Sequence, residues 1–196
     1  LEKEYNIHHD TINRYVRQSG NKIRNRSESR REYELNQEVF SGDNPQSLYW
    51  AGFLLADGCI IDKKGRSKQI ILNLQAKDEK HLYKFKSFLE TGCPVKNRKQ
   101  NGHAQRVINI CSNEIANDLL RFGVVPKKSL IADPPKKYMK NKHFLRGVLD
   151  GDGGIYNYDN PEILIVGTKN VCEKFASYAH SICGTEASVR EHGNIY

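Results

Sequence analysis

The stretch YWAGFLLADGCI (Tyr49 to Ile60) is answered further along the chain by HFLRGVLDGDGGI (His143 to Ile155), and the two align without a gap at a constant offset of 95. Gly52 falls on Gly147, Leu54 on Leu149, Ala56 on Gly151, Asp57 on Asp152, Gly58 on Gly153 and Ile60 on Ile155. Only two copies of so long a period fit in 196 residues, so an internal duplication is the simpler reading and a pseudo-dyad is expected. Each copy is apolar helix material that ends in an aspartate. A carboxylate in the last helical turn faces the negative end of the macrodipole, a cost of roughly 0.3 to 1 kcal/mol. Something must compensate Asp57 and Asp152.

Charge narrows the function classes. The formal net charge is +8, and the excess is clustered: twelve Lys/Arg against four Asp/Glu from Ile61 to Arg106, and eight against one from Arg121 to Arg146. Without a basic amphipathic helix, such clusters favour nucleic acid over a membrane surface, and a merely solvated basic face is the bland alternative. No run reaches the 18 or so apolar residues of a membrane span, and no signal peptide is recognisable, so an intracellular, cytoplasmic protein is expected. The five cysteines show no C-x-x-C pair, which speaks against structural zinc and for buried thiols.

Residues 1–20 read as the end of one helix, a turn with Ile7 pointing inward, and a second helix closed by Gly20. This resembles a partial helix-turn-helix, with Thr11, Asn13, Arg14 and Arg17 on its outer face; a plain helical hairpin is the alternative. Residues 21–43 are polar and basic, a linker or an arm in which Arg24 and Arg26 could follow a phosphate backbone. From Asn44-Pro45, a cap and first-turn pair, a helix should run to Asp57 with Gly58 as its stop. Ile70, Leu72 and Leu74 alternate with Ile71, Asn73 and Gln75 as a strand, Leu82, Phe85 and Leu89 mark a helix, Asn101-Gly102 marks a hairpin, and a helix capped by Ser112 or Asn113 closes the unit. The second copy repeats the order with a shorter first hairpin. Residues 185–196 align with the strand around Lys96 to Gln100, which leaves the second copy truncated at its C-terminal side.

WAGFLLADG and LRGVLDGDG are similar to the two namesake motifs of the LAGLIDADG homing endonucleases, a resemblance that covers the chain from about Pro45 onwards. It implies an α+β fold: a pseudo-two-fold pair of αββαββα repeats, residues 44–133 and 134–196, forming a DNA-binding saddle behind the small helical segment. The residues make sense independently of it. Gly52 and Ala56, like Gly147 and Gly151, are spaced i, i+4, so each pair lies on one helix face and lets two backbones approach, bringing both aspartates to one end of the helix pair. Like charges so placed repel, and a divalent cation supplies the missing compensation. Hard oxygen ligands and a phosphodiester substrate favour Mg²⁺.

By resemblance, Asp57 and Asp152 match the metal-binding acids, the carbonyls of Ala56 and Gly151 assist, and both strands of a double-stranded DNA target are cut across the minor groove. Lys127 and Lys128 lie where basic residues of that family follow the closing helix, and could orient water, offset charge or anchor phosphate. Expected reading residues are Asn73, Gln75, Lys96, Arg98, Gln100 and Arg106, with Tyr156, Tyr158, Arg190 and His192 in the second copy. The resulting expectation is a monomeric, site-specific, Mg²⁺-dependent endonuclease. Its rivals are a DNA-binding regulator of the same fold without catalysis, and an RNA maturase.

Overall fold

A computed structural model describes residues 7–21, 23, 32–156, 159, 162–193 and 195–196. They fall into two compact units, Leu1–Glu32 and Tyr33–Tyr196. Arg24, Arg26, Tyr158 and the expected first helix of the helix-turn-helix lie outside the described residues.

In the first unit, α1 (His9–Gln18) starts where the His8 ring accepts from the Asp10 amide. It ends in a glycine turn: Gly20 adopts φ +74° and donates to the Arg17 carbonyl, while Asn21 donates to that of Val16. This paired closure needs a left-handed residue, which glycine supplies cheaply. Arg14 and Arg17 are exposed, Thr11 and Asn13 half-buried. Ile7, expected to point inward, is exposed.

In the second unit, α2 (Pro45–Ala56) begins at Asn44, whose side chain accepts from the Gln46 and Ser47 amides. Its residues from Ser47 to Leu55 are all buried, as befits a helix that is apolar on every side. β1 (Gly58–Ile61), β2 (Gln69–Gln75), α3 (Glu79–Phe88), β3 (Lys96–Gln100), β4 (His103–Cys111) and α4 (Asn113–Leu120) follow. The first repeat is therefore αββαββα, with an antiparallel sheet in the order β1-β2-β4-β3. Asn101 and Gly102 both take positive φ, 50° and 81°, as the two-residue turn joining β3 and β4 requires. Ser112 caps α4 through the Ile115 amide. Ile60, Ile70, Leu72, Leu82, Phe85, Ile108, Ile115 and Leu119 form the core between sheet and helices.

The second repeat comprises α5 (Lys142–Asp152), β5 (Gly153–Tyr156), β6 (Glu162–Ile165) and α6 (Lys169–Cys183). Its sheet has two strands among the described residues. Ile155 and Ile163 are consequently 63% and 59% exposed, whereas their equivalents Ile60 and Ile70 are 3% and 2% exposed. In the first repeat β4 and α4 contribute Ile108, Ile110, Ile115 and Leu119 to the core, and the second repeat has no described counterpart of them.

Two expectations are corrected. Residues 33–43 are no solvated arm: Phe40 is fully buried, Ser47 Oγ donates to the Val39 carbonyl, and Arg121 donates to the carbonyls of Phe40 and Gly42 at 2.6 and 2.8 Å. Gly58 follows the end of the helix, as expected, and at once opens β1. Glycine is required there because a Cβ would lie 2.6 Å from the Leu54 carbonyl oxygen, just as one on Gly153 would lie 2.7 Å from that of Leu149. Residues 185–191 form no strand, and among the described residues no strand lies beside them to take up their backbone groups. The turn that should follow is present as a bridge between His192 and Ile195, and Tyr196 exchanges backbone hydrogen bonds with Gly167.

Candidate active site

At Gly52 and Gly147 the helices α2 and α5 cross backbone against backbone. A Cβ on Gly52 would sit 2.0 Å from the Phe144 carbonyl oxygen, and one on Gly147 would sit 2.0 Å from that of Tyr49. The two close approaches are reciprocal, because Tyr49 and Phe144 are themselves related by the offset of 95. Further along the pair, a Cβ on Gly151 would meet the Ala56 Cβ at 2.4 Å and the Asp57 Oδ2 at 3.4 Å. Small residues at all four positions thus let the helices touch over two turns and end side by side.

At that shared end stand the two aspartates. Asp57, just past the end of α2, keeps an exposed edge, but protein encloses most of its surroundings. Burial, reinforced by the charge of Asp152, pushes its carboxyl up to about 6 despite the opposing pull of Lys128. Asp152 is half-buried and is likewise raised by burial, against Lys128. Both carboxylates thus carry more charge than the protein around them neutralises, an arrangement that suits a bound cation.

The two lysines part company. Lys127, in a left-handed conformation at φ 57°, is exposed, whereas Lys128 is buried, with burial lowering its pKa and Asp152 and Asp57 raising it. Its Nζ donates to the Ala56 carbonyl oxygen at 2.5 Å. That oxygen, expected from the resemblance to help hold metal, is here held by an ammonium. Asp57 and Asp152 are the acids at the shared end of the two helices, and among the described residues no cluster of three or more His, Cys, Asp or Glu could hold a metal ion. Two carboxylates with a mostly aqueous shell fit the habits of Mg²⁺ better than those of zinc.

Strand pairing decides which side chains share a sheet face. Asn73 pairs with Val107 and Gln75 with Gln105, while Lys96 faces Val107, Arg98 faces Gln105 and Gln100 faces His103. Asn73, Gln75, Lys96, Arg98 and Gln100 therefore share the outer face. Asn73 Nδ2 donates to the Gln105 and Gln100 side-chain oxygens, and its own Oδ1 is buried without a partner. Arg106 is on the other face. It pairs with Leu74, has the parity of Ile108 and Ile110, and its Nε lies 3.3 Å from Glu79. Tyr156, on β5, is exposed and folds over Gly154. Arg190 and His192 are exposed outside any strand.

Sequence reasoning missed a polar cluster beside the crossing. The Tyr49 hydroxyl donates to Asp150 Oδ2 at 2.8 Å and lies 3.0 Å from His81 Nε2, and the Arg146 guanidinium stacks 4.5 Å from the Tyr49 ring centroid. Burial and the Asp150 bond raise the Tyr49 phenol, and burial lowers His81. A signal existed: Asp150 aligns with Leu55, so the repeat itself marks it as a departure. Asp57, His81 and Asp150 also line one cleft of about 640 Å³ with the exposed Lys77, Lys80 and Lys84, none of which stood out in the sequence.

Two duplicated units that cross through their glycines and present paired carboxylates define a class of protein. No family model and no curated protein matches the chain by sequence. Solved structures do match by shape. The homing endonuclease I-WcaI bound to its DNA recognition sequence is 15% identical with a TM-score of 0.54, over 77% of this chain and 74% of that one. A variant of the homing endonuclease I-DmoI in complex with its target DNA in the presence of Mg is 15% identical with a TM-score of 0.52, over 82% of this chain and 89% of that one. A mesophilic variant of I-DmoI gives 14% and 0.50, over 81% and 88%. The fold of this chain is that of the LAGLIDADG homing endonucleases.

Proposed function

We propose that the protein is a site-specific double-strand DNA endonuclease that hydrolyses phosphodiesters with a divalent cation, Mg²⁺, held between Asp57 and Asp152, each aspartate serving one strand. The observation that carries this reading is the pair of under-neutralised carboxylates at the common end of two helices in backbone contact. When bound, the cation supplies Lewis-acid polarisation of the phosphate and an acidified water. Asp57 and Asp152 hold it, with the Gly151 carbonyl as a further oxygen donor. Lys128, buried beside both acids, places its ammonium where charge develops on the phosphate, while the exposed Lys127 contacts the nucleic-acid backbone. Asn73, Gln75, Gln100 and Gln105 offer amides suited to adenine, and Lys96 and Arg98 cations suited to guanine.

I-WcaI bound to its DNA recognition sequence and I-DmoI in complex with its target DNA in the presence of Mg support this reading. Because both repeats lie in one chain, the nuclease acts as a monomer, and α1, with Arg14 and Arg17 exposed, supplies further nucleic-acid contacts. Selection of cleaved molecules from a random duplex library tests the proposal: one family of targets should be cut on both strands in Mg²⁺ and only bound in Ca²⁺. Asp57→Asn and Asp152→Asn should each abolish double-strand cleavage while leaving affinity within a few fold. Selective binding with no cleavage in Mg²⁺ would assign the chain to the non-catalytic regulators instead.

A further inference from the structure

The two halves of the helix crossing are not equivalent. On one side Tyr49 of α2 donates its hydroxyl hydrogen to Asp150 in the last turn of α5 at 2.8 Å. With that proton committed, His81 Nε2, 3.0 Å away, must carry a hydrogen and donate to the phenol oxygen, which gives a directed chain from His81 through Tyr49 to Asp150. His81 is itself fixed among aromatic rings, 4.8 Å from Trp50 and 4.6 Å from Phe53 between ring centroids. Arg146, one turn before Asp150, lies over the same Tyr49 ring. On the other side of the pseudo-dyad the equivalent positions are Phe144 and Leu55, both buried and without a polar atom to offer.

The polar chain joins three elements: α3, which belongs wholly to the first repeat, α2, and the turn of α5 that carries Asp152. Resting on the nuclease reading, we propose that Tyr49, Asp150 and His81 form a one-sided positioning clasp that fixes the last turn of α5 against the first repeat. The turn that carries Asp152 is thereby held through the Tyr49–Asp150 hydrogen bond, whereas the end of α2 that carries Asp57 is held through the Lys128 ammonium on the Ala56 carbonyl, and with the two acids fixed by different devices the two DNA strands are cut at unequal rates. Tyr49 and His81 act through Asp150 and its turn, so they are positioning residues. A hydrogen-bonded register resists sliding of α5 along α2, which a glycine-lined contact without interlocking side chains does little to oppose.

The pseudo-symmetric side supplies the control. Tyr49→Phe with Asp150→Leu copies the Phe144 and Leu55 pair, so the double variant keeps an apolar filling and should melt close to the parent. Strand-specific end labelling on a selected target, with Asp152→Asn used to identify the strand that Asp152 serves, reads the effect. In the double variant cleavage of that strand should fall by about tenfold or more relative to the other, with affinity within about twofold. Asp150→Asn, which keeps an acceptor oxygen for Tyr49, should hold the ratio near the parental one. A second measurement is independent of DNA: amide hydrogen exchange of Gly151, Asp152 and Gly153 should quicken by about tenfold in the double variant alone. Parental strand ratios or parental exchange in the double variant would overturn the clasp. Failure of the parent to cut any duplex would defeat the nuclease reading and the strand inequality with it, and exchange would still decide whether the clasp holds the turn.

Discussion

Replacing Gly52 by alanine isolates the helix crossing. On propensity alone the change should stabilise α2 by up to about 1 kcal/mol, since an interior glycine is the poorest ordinary helix former. The crossing reverses the sign. The new methyl would lie 2.0 Å from the Phe144 carbonyl oxygen and 3.1 Å from the Val148 amide nitrogen, and ordinary contact begins at 3.4 Å, so α2 and α5 must separate by 3.4 − 2.0 = 1.4 Å. Both obstructing atoms are backbone, and no rotamer change removes them. Overpacking costs about 1–3 kcal/mol, and a backbone clash this close belongs at the upper end, which leaves a net loss of about 2 kcal/mol and a fall in melting temperature of about 4–8 °C. Gly147→Ala meets the Tyr49 carbonyl oxygen at the same distance and should behave alike. Once the helices have moved apart for one methyl the second meets less resistance, so the double variant should lose less than the sum. A displacement of about 1 Å at the acid end should also slow cleavage by about a hundredfold. Thermal melts and single-turnover rates of the two single variants and the double one are the assay. A Gly52→Ala protein that melts at or above the parental temperature and cuts at the parental rate would refute the backbone contact, and with it the structural basis for pairing Asp57 with Asp152.

Three further outcomes follow from the site. Because the carboxyl of Asp57 is raised to about 6, its protonated form favours the fold: that stability is present below the ordinary aspartate range and is lost as pH climbs through about 6. In a chelator, Asp57→Asn should therefore stabilise the protein at pH 7.5 by about 1 kcal/mol, allowing for the solvent that reaches Asp57, and be neutral near pH 4, as read from denaturant midpoints; no gain at pH 7.5 would mean that neither burial nor the charge of Asp152 disfavours the Asp57 carboxylate. Lys128→Met should lower the cleavage rate by about a hundredfold or more while Lys127→Ala stays within a few fold, and equal losses in single-turnover assays would remove the distinction between them. Deleting residues 1–32 should leave cleavage intact but shorten the protected DNA and flatten the salt dependence, whereas a deletion to Phe40 should unfold the protein by removing a core side chain.

The central pair of helices was legible because its constraints are local and duplicated. Small residues at i and i+4 followed by an acid, twice in the same register, admit few packings, and the crossing through Gly52 and Gly147 is what that pattern demands. The Asn101-Gly102 hairpin and the Asn44 and Ser112 caps were readable for a similar reason, since turn and cap chemistry acts within four residues. Arg106 was misread because charge was weighed above parity, although its spacing from Ile108 and Ile110 places it on the core side of the sheet. The burial of Phe40 was invisible amid the polar residues around it, because the groups that hold its segment, Ser47 and Arg121, are brought there only by tertiary structure. Tyr49, His81 and Asp150 come from three separate helices, and no periodicity joins them. The irregular segment at 185–191 shows the converse: a pattern that makes a strand in one repeat makes none in the other, where no described strand pairs with it.

The bare contact between α2 and α5 has a consequence for how such a molecule can change. Its geometry depends on carbonyl oxygens and glycine hydrogens, and the outer sheet face that carries Asn73, Gln75, Lys96 and Arg98 takes no part in it. The residues suited to recognising a sequence can therefore be exchanged freely while the spacing of the two carboxylates stays constant. Sheet face and helix crossing are separately editable, and a substitution on the one leaves the other's backbone contacts untouched.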